Sequence, residues 1–292
     1  MSCLKLLCLK STLISLCLIF TSFNVVFYDN HSHPISIEQA IRNNLVNCNI
    51  SSNGGHEGTC VNMNLENKSL HALNIQVESG RNLLSNDTNK QDILIVKEEL
   101  FVLNKGDNEN KDLFGFCSQS HKGSPSTGEN YALGEMKDNK TVQLTTYLAK
   151  NKYPLSAMQN AIWVMTNNRR VEGIYHENRD SIKSLMDYVS NLTYQFTPWY
   201  SIQYHEDESN LVSDNAKQIF GEFEGRLRKD TKVKVVVFDM LNIAQLRKEV
   251  VISEEANSHP ISVDVSSLPK GRYHIGFYVI GGGRVDEKVF SI

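Results

Sequence analysis

The side chains best equipped for chemistry in this chain of 292 residues are its six cysteines. Cys3, Cys8 and Cys17 stand near the start, and Cys48, Cys60 and Cys117 lie beyond them. The start reads as an export leader over residues 1–28, or as an N-terminal anchor if it is not cleaved. Lys5 and Lys10 supply positive charge, and Leu13 to Phe27 is mostly apolar and uncharged. Outside the cytoplasm thiols tend to pair. Cys48 and Cys60 enclose 11 residues that include the flexible Asn53-Gly54-Gly55. They are the predicted disulfide, which would stabilise by about 2–3 kcal/mol if unstrained. Cys117 is then the odd thiol and calls for its own explanation. It is either a nucleophile, reactive as the thiolate, or a small buried hydrophobe.

Other chemistries lack their patterns. Cys48, His56, Cys60 and Cys117 are four possible zinc ligands, but Cys-x7-His-x3-Cys lacks the short paired spacing of structural sites, and no metal is expected. His205-Glu206-Asp207-Glu208 lacks the spacing of a calcium loop and reads as solvated connection. Gly281-Gly282-Gly283 reads as a hairpin turn, since no helix and no Gly-Lys-Ser/Thr follows it. Neither Gly-x-Ser-x-Gly nor His-Glu-x-x-His occurs, so a hydrolase would have to use a catalytic group that residue order does not reveal. Trp199, Tyr200 and Tyr204 suit either a sugar-stacking face or a buried aromatic seam. The 30 basic and 33 acidic residues leave a formal charge of −3, which argues against a nucleic-acid binder with a basic surface. No cofactor is expected.

Two short segments sharpen the view of Cys117. Phe114-Gly115-Phe116-Cys117 places the thiol after aromatic residues, and Met158-Gln159-Asn160-Ala161-Ile162-Trp163 places a glutamine among apolar residues shortly before Ile-Trp. Together they resemble the cysteine and glutamine motifs of bacterial thioester adhesin domains, although Cys117 stands further into the chain than the cysteine of that family. The resemblance implies an internal thioester between Cys117 and Gln159, a stored electrophile able to acylate an amine on another surface. Such a bond needs a thiolate to form and a water-poor pocket to persist, and Phe116 and Trp163 are the candidates to line it. Gln159 has a second reading. It stands three residues after Ser156, the spacing of a capping box, and would then serve only its own helix.

The elements that must position these residues can be read from periodicity. Ser36 to Val46 is predicted to be helical, with Ser36 and Gln39 at capping-box spacing. Period-two alternation at Val61, Met63, Leu65 and at Leu73, Ile75, Val77 predicts strands. Gly80 to Lys90 reads as loop, and 93–96, 100–103 and 113–117 as buried strands. Helices are predicted from about Lys140, from Ser156 to Asn167-Asn168, and along Ile182, Leu185, Met186, Val189 and Leu192. Residues 30–198 thus form an α+β domain, a small antiparallel sheet or sandwich with helices. Residues 199–215 read as a linker. Residues 216–292 read as an all-β sandwich, from the alternation at Val233, Val235, Val237, at Ile261, Val263, Val265 and at Tyr273, Ile275, Phe277, Val279.

In this last part Leu268-Pro269-Lys270-Gly271-Arg272-Tyr273, the strand 235–239 and the terminal strand 288–292 resemble the Ig-like C-terminal domains of secreted Bacteroidetes proteins, including type IX secretion sorting domains. Two features depart from that pattern. The chain ends in Phe290-Ser291-Ile292 rather than lysines, and the hairpin turn reads Asp239-Met240-Leu241-Asn242 in place of Asp-x-x-Gly. The expectation is an exported surface or periplasmic protein for binding or attachment to a surface protein or glycan. Membrane contact would come only through the N-terminal segment. An extracellular hydrolase and a purely structural surface protein are the alternatives.

Overall fold

The computed structural model describes residues 33–205 and 213–292. The expected leader, with Cys3, Cys8 and Cys17, and the acidic run after His205 lie outside the described residues. The chain is mostly β, arranged in several sheets.

Alternating apolar residues and turn glycines break the first part into short strands. In chain order they are β1 (Ile35–Ser36), helix α1 (Ile37–Arg42), β2 (Val46–Ser52), β3 (Glu57–Asn67), β4 (Leu73–Val77), β5 (Arg81–Ser85), β6 (Ile93–Ile95), β7 (Glu99–Leu103), β8 (Asn108–Cys117) and β9 (Asn130–Met136). Ser36 Oγ accepts the N–H of Gln39 at 3.1 Å and caps α1 as expected. The helix is shorter than its apolar stripe suggested, because Val46 already opens β2. β5 was expected to be loop. Its Arg81 is buried beside Glu38 and Glu78, so a charged residue occupies a core-facing strand position with its partners supplied. Six strands close a barrel in the order β2-β3-β8-β6-β5-β9, with β9 returning to β2 at Tyr131 opposite Ile50. Strands β1, β4 and β7 form a small separate sheet.

Three helices follow: α2 (Asn139–Lys150), α3 (Leu155–Asn167) and α4 (Lys183–Thr193). They cover one wall of the barrel, and that wall is therefore buried on both faces. Ile93, Ile95 and Cys117 belong to the barrel core. The alternate residues Leu94, Val96 and Phe116 belong to the helical core, with Leu144, Met158, Ile162 and Leu185. The two-residue period of a strand divides them in this way, and burial on both faces explains why these segments read as unbroken apolar runs. Gly115 is required where the strands crowd. A Cβ there would lie 2.8 Å from Ile93 Cγ2 and 2.9 Å from the Leu94 carbonyl oxygen.

The remaining strands are β10 (Tyr200–Tyr204), β11 (Ala216–Leu227), β12 (Lys232–Asp239), β13 (Ala244–Val251), β14 (Ala256–Asp264), β15 (Arg272–Val279) and β16 (Arg284–Ser291). One sheet runs β10-β11-β14 and the other β13-β12-β15-β16, and they share a core of Ile219, Phe223, Val235, Ile275, Phe277 and Phe290 among others. β10 lies inside the stretch expected to be linker. Its residues Tyr200, Ser201 and Ile202 are buried against β11, so the sheet begins before the polar run rather than after it. Trp199 and Tyr200 form a seam. Trp199 Nε1 donates to the Val289 carbonyl at 2.7 Å, and the Tyr200 hydroxyl donates to the Ser291 carbonyl at 3.2 Å. In the Asp239 turn, Asp239 Oδ1 accepts from the N–H groups of Leu241 and Ile243, and Asn242 adopts φ 64°. Asparagine tolerates this left-handed backbone, so the missing glycine does not disturb the hairpin.

Candidate thioester site

β8 ends at Cys117, and α3 crosses beside that end. The Gln159 carboxamide meets the backbone of Cys117 at two points. Its Oε1 accepts the Cys117 N–H at 3.2 Å, and its Nε2 donates to the Cys117 carbonyl at 2.7 Å. The same N–H also donates to the His56 carbonyl at 2.9 Å. Cys117 is fully buried and Gln159 is 2% exposed. The capping reading of Gln159 is thereby corrected. Helix α3 starts at Leu155, after Pro154, which leaves Ser156 inside the helix and unable to act as its cap. Gln159 instead turns away from its own helix end and toward the barrel strand.

Gln159 is one rung of a ladder. Trp163 Nε1 donates to Gln91 Oε1 at 3.3 Å. Asn167 Nδ2 donates to the Ser118 carbonyl at 3.1 Å, and its Oδ1 accepts from the Ser120 N–H at 2.6 Å. Residues 159, 163 and 167 are four apart and share one helical face. This face fastens α3 to Cys117, to the segment that follows it, and to Gln91. Gln91 is itself fully buried. Its Oε1 also accepts the Gln119 N–H, its Nε2 donates to the Lys122 carbonyl, and its own carbonyl accepts the Tyr131 hydroxyl at 3.1 Å. Gln91 was not among the expected site residues. A lone glutamine in a polar loop carries no sequence signal, although the four-residue spacing of Gln159, Trp163 and Asn167 could have pointed to the ladder.

The two expected pocket residues part company. Trp163 shares the barrel core with Cys117, whereas Phe116 lies in the helical core, edge-on to Phe114 at 5.4 Å between ring centroids. Strand alternation sends Phe116 to the opposite side from its neighbour Cys117, so it backs the site rather than lining it.

The expected Cys48–Cys60 disulfide is also corrected. Cys48, Cys60 and Cys117 are all free. Cys48 stands opposite Leu65, while Cys60 lies five positions back along β3. That is about 16 Å at the rise of a strand, whereas bridged Cα atoms lie within about 7 Å. The Asn53-Gly54-Gly55 turn does join β2 to β3, but the hairpin register sets the two thiols apart. Among the described residues no group of three or more His, Cys, Asp or Glu side chains is gathered to hold a metal.

Burial dominates the electrostatics of the site. It pushes the Cys117 thiol well above its ordinary range, and the neighbouring Cys60 and Asp92 push in the same direction. Burial raises Cys60 to about 12. It also raises the Tyr131 hydroxyl, with Cys117 and Cys60 as the next contributions. Burial thus favours the neutral thiol over the thiolate.

Chemically, the arrangement holds a carboxamide against the backbone of a cysteine in a buried site. No family model matches the chain, and no characterised protein is significantly similar to it.

Proposed function

We propose that the chain is a covalent attachment module built on an internal Cys117–Gln159 thioester. In its formation, Cys117 Sγ attacks Gln159 Cδ, the Cδ–Nε2 bond breaks, and the thiol proton leaves with the nitrogen as ammonia. In its use, a primary amine on another surface attacks Cδ, the Cδ–Sγ bond breaks, and the products are an amide at Gln159 and a free Cys117 thiol. The single observation that carries this reading is the two-point hydrogen bonding of the Gln159 carboxamide to the Cys117 backbone inside a buried site. Burial also supports persistence of the acyl bond, since it keeps water from the carbonyl.

In this reading the short likeness to thioester adhesin domains reflects shared chemistry. The barrel with its helices is the reactive α+β domain, and the sandwich is an Ig-like structural domain that presents it. Export to a cell surface or periplasm fits the charged and apolar start of the chain and places the electrophile where foreign amines occur. The test is the intact mass of freshly purified full-length protein under denaturing, non-reducing conditions. A mass one ammonia below that of the sequence, restored to the full value in Cys117→Ala apart from the substitution itself, is expected. Retention of the ammonia in the wild type would overturn the proposal.

A further inference from the structure

Helix α3 runs out at Asn167, and the chain turns through Asn168, at φ 52°, into Arg169 and Arg170. This turn, the segment after β8 and the start of the sandwich enclose a cavity of about 650 Å³. Ser120 and His121 line it from the barrel side, and Tyr204 and Asp214 from the sandwich side. Asp214 is the one acidic residue of the lining, which is otherwise rich in hydrogen-bond donors. Arg169 is only 18% exposed. Its guanidinium lies over the Tyr204 ring, 5.3 Å from the centroid, a contact that holds a planar cation in place. Its N–H groups are poorly used by the protein. Nη1 stands 3.4 Å from Ser120 Oγ and Nη2 3.5 Å from the Ser213 carbonyl, both at the outer limit of a hydrogen bond. Its ionic partner Asp214 is 3.2 Å from Nη2 and 75% exposed, and a surface pair of that kind contributes little. Arg170 meets Glu172 through Nε, and a guanidinium carries four further N–H groups on its terminal nitrogens.

We infer that this cleft is a binding site for an oxyanion, a carboxylate or phosphate group carried on a polar molecule. A guanidinium presents parallel N–H groups that match two oxygens of such a group. Arg169, held against Tyr204, supplies that fork already oriented, because stacking leaves the edge of the guanidinium free for in-plane hydrogen bonds. Arg170 and His121 add donors beside it. Asp214 stands where the ligand binds: it is a carboxylate at the same nitrogen, on an exposed side chain that an incoming oxyanion displaces. The volume exceeds what a bare anion fills and lies in the range of small-molecule sites. The body of the ligand meets Asn168, Ser213 and Asn215, which suit a body rich in hydroxyl or amide groups. The walls come from both the barrel side and the sandwich side, so an occupant joins the two regions. The inference stands apart from the acyl chemistry at Cys117, which it neither uses nor requires.

The test follows thermal unfolding of the full chain at neutral pH in phosphate, acetate or chloride at matched ionic strength. The wild type is expected to unfold at a higher temperature in phosphate or acetate than in chloride, with a response that saturates, as binding to the folded state requires. A larger response to phosphate marks a phosphate ligand, and a larger response to acetate a carboxylate. Arg169→Gln should weaken the apparent affinity for the better anion about 10-fold or more. Asp214→Asn should strengthen it about 2–5-fold, because the internal competitor is gone. General salting effects of phosphate are common to all three proteins and cancel in the comparison. A purely structural ion pair predicts the opposite sign for Asp214→Asn, a less stable protein with no gain in anion response. That result would overturn the inference, as would an equal response in wild type and Arg169→Gln, or none in the wild type. Should Arg169→Gln fail to fold, the direction of the Asp214→Asn change decides alone.

Discussion

The barrel with its helices and the two-sheet sandwich are built from similar apolar residues but treat buried polarity differently. Among the described residues, the sandwich buries only Ser201 and His259 as polar side chains. The barrel and helices bury Arg81, Asn82, Gln91, Ser118, Thr145, Gln159, Glu172 and others. Each such group costs free energy unless its hydrogen bonds are met. The sandwich carries little of this cost, with Ser201 Oγ a buried oxygen without a partner, and its core is apolar. The barrel accepts it around one end of β8, where Gln159 is satisfied by the Cys117 backbone, Asn167 by the Ser118 and Ser120 backbone, and Gln91 by Trp163, Gln119 and Lys122. A region that keeps and satisfies so many buried amides is the region in which to look for chemistry.

The contrast can be pressed first in the sandwich. Phe223 is fully buried there and stacks on Phe277 at 4.4 Å. Phe223→Ala should cost about 3–5 kcal/mol of stability, read from denaturant unfolding, while the ammonia loss at Cys117 stays complete in the folded fraction. If that loss disappeared while the barrel remained folded, the two regions would not be the separate scaffold and reactive centre proposed. The next test falls on the hub. Gln91→Leu strands the Gln119 N–H, the Trp163 indole N–H and the Lys122 carbonyl. It should destabilise by about 1–3 kcal/mol and reduce the fraction of protein that has lost ammonia. A smaller effect is expected from Asn167→Ala at the far rung of the ladder, about 1 kcal/mol, with thioester formation retained. Reversal of the order of these two would mean that α3 is anchored from its end rather than from Gln91.

The smallest effect concerns pH. Burial raises the Glu57 carboxyl in the folded state, with His56 opposing. The folded protein then holds that proton more tightly than the unfolded chain, so this group's contribution to stability falls as pH rises from its ordinary value of 4.5 through the raised one. Glu57→Gln should flatten that part of the stability–pH curve and leave the neutral-pH protein slightly more stable. A steeper curve in the variant would contradict the assignment.

Periodicity made α3, α4 and most of the sandwich strands legible, because each presents an apolar face; α2 showed only an incomplete stripe, since Thr141 and Thr145 share its buried face with Leu144 and Leu148. β5 was hidden by Arg81, whose burial depends on carboxylates from two other elements that no local pattern announces. β10 was hidden by its neighbours, a polar run that looks like linker. At the site, the two short motifs pointed to Cys117, Gln159 and Trp163, and the structure brings the Gln159 carboxamide to the Cys117 backbone and Trp163 into the same core as Cys117. Phe116 was misplaced because adjacent strand residues face opposite ways. The Cys48–Cys60 pairing failed for a related reason: nearness in sequence suggested a bridge, but hairpin register, which depends on where β2 and β3 start, keeps them apart. The partners of Gln159 come from β8, 42 residues away in the chain, and such a meeting is a property of the closed barrel rather than of any segment.

The most direct measurement is a peptide map of freshly purified, unreduced, denatured full-length protein. The peptide bearing Cys117 is expected joined to the peptide bearing Gln159, at their summed mass less one ammonia, and methylamine is expected to separate them and leave its mass on Gln159. Recovery of the two as separate unmodified peptides, with Cys117 open to alkylation before any amine is added, would contradict the proposed thioester.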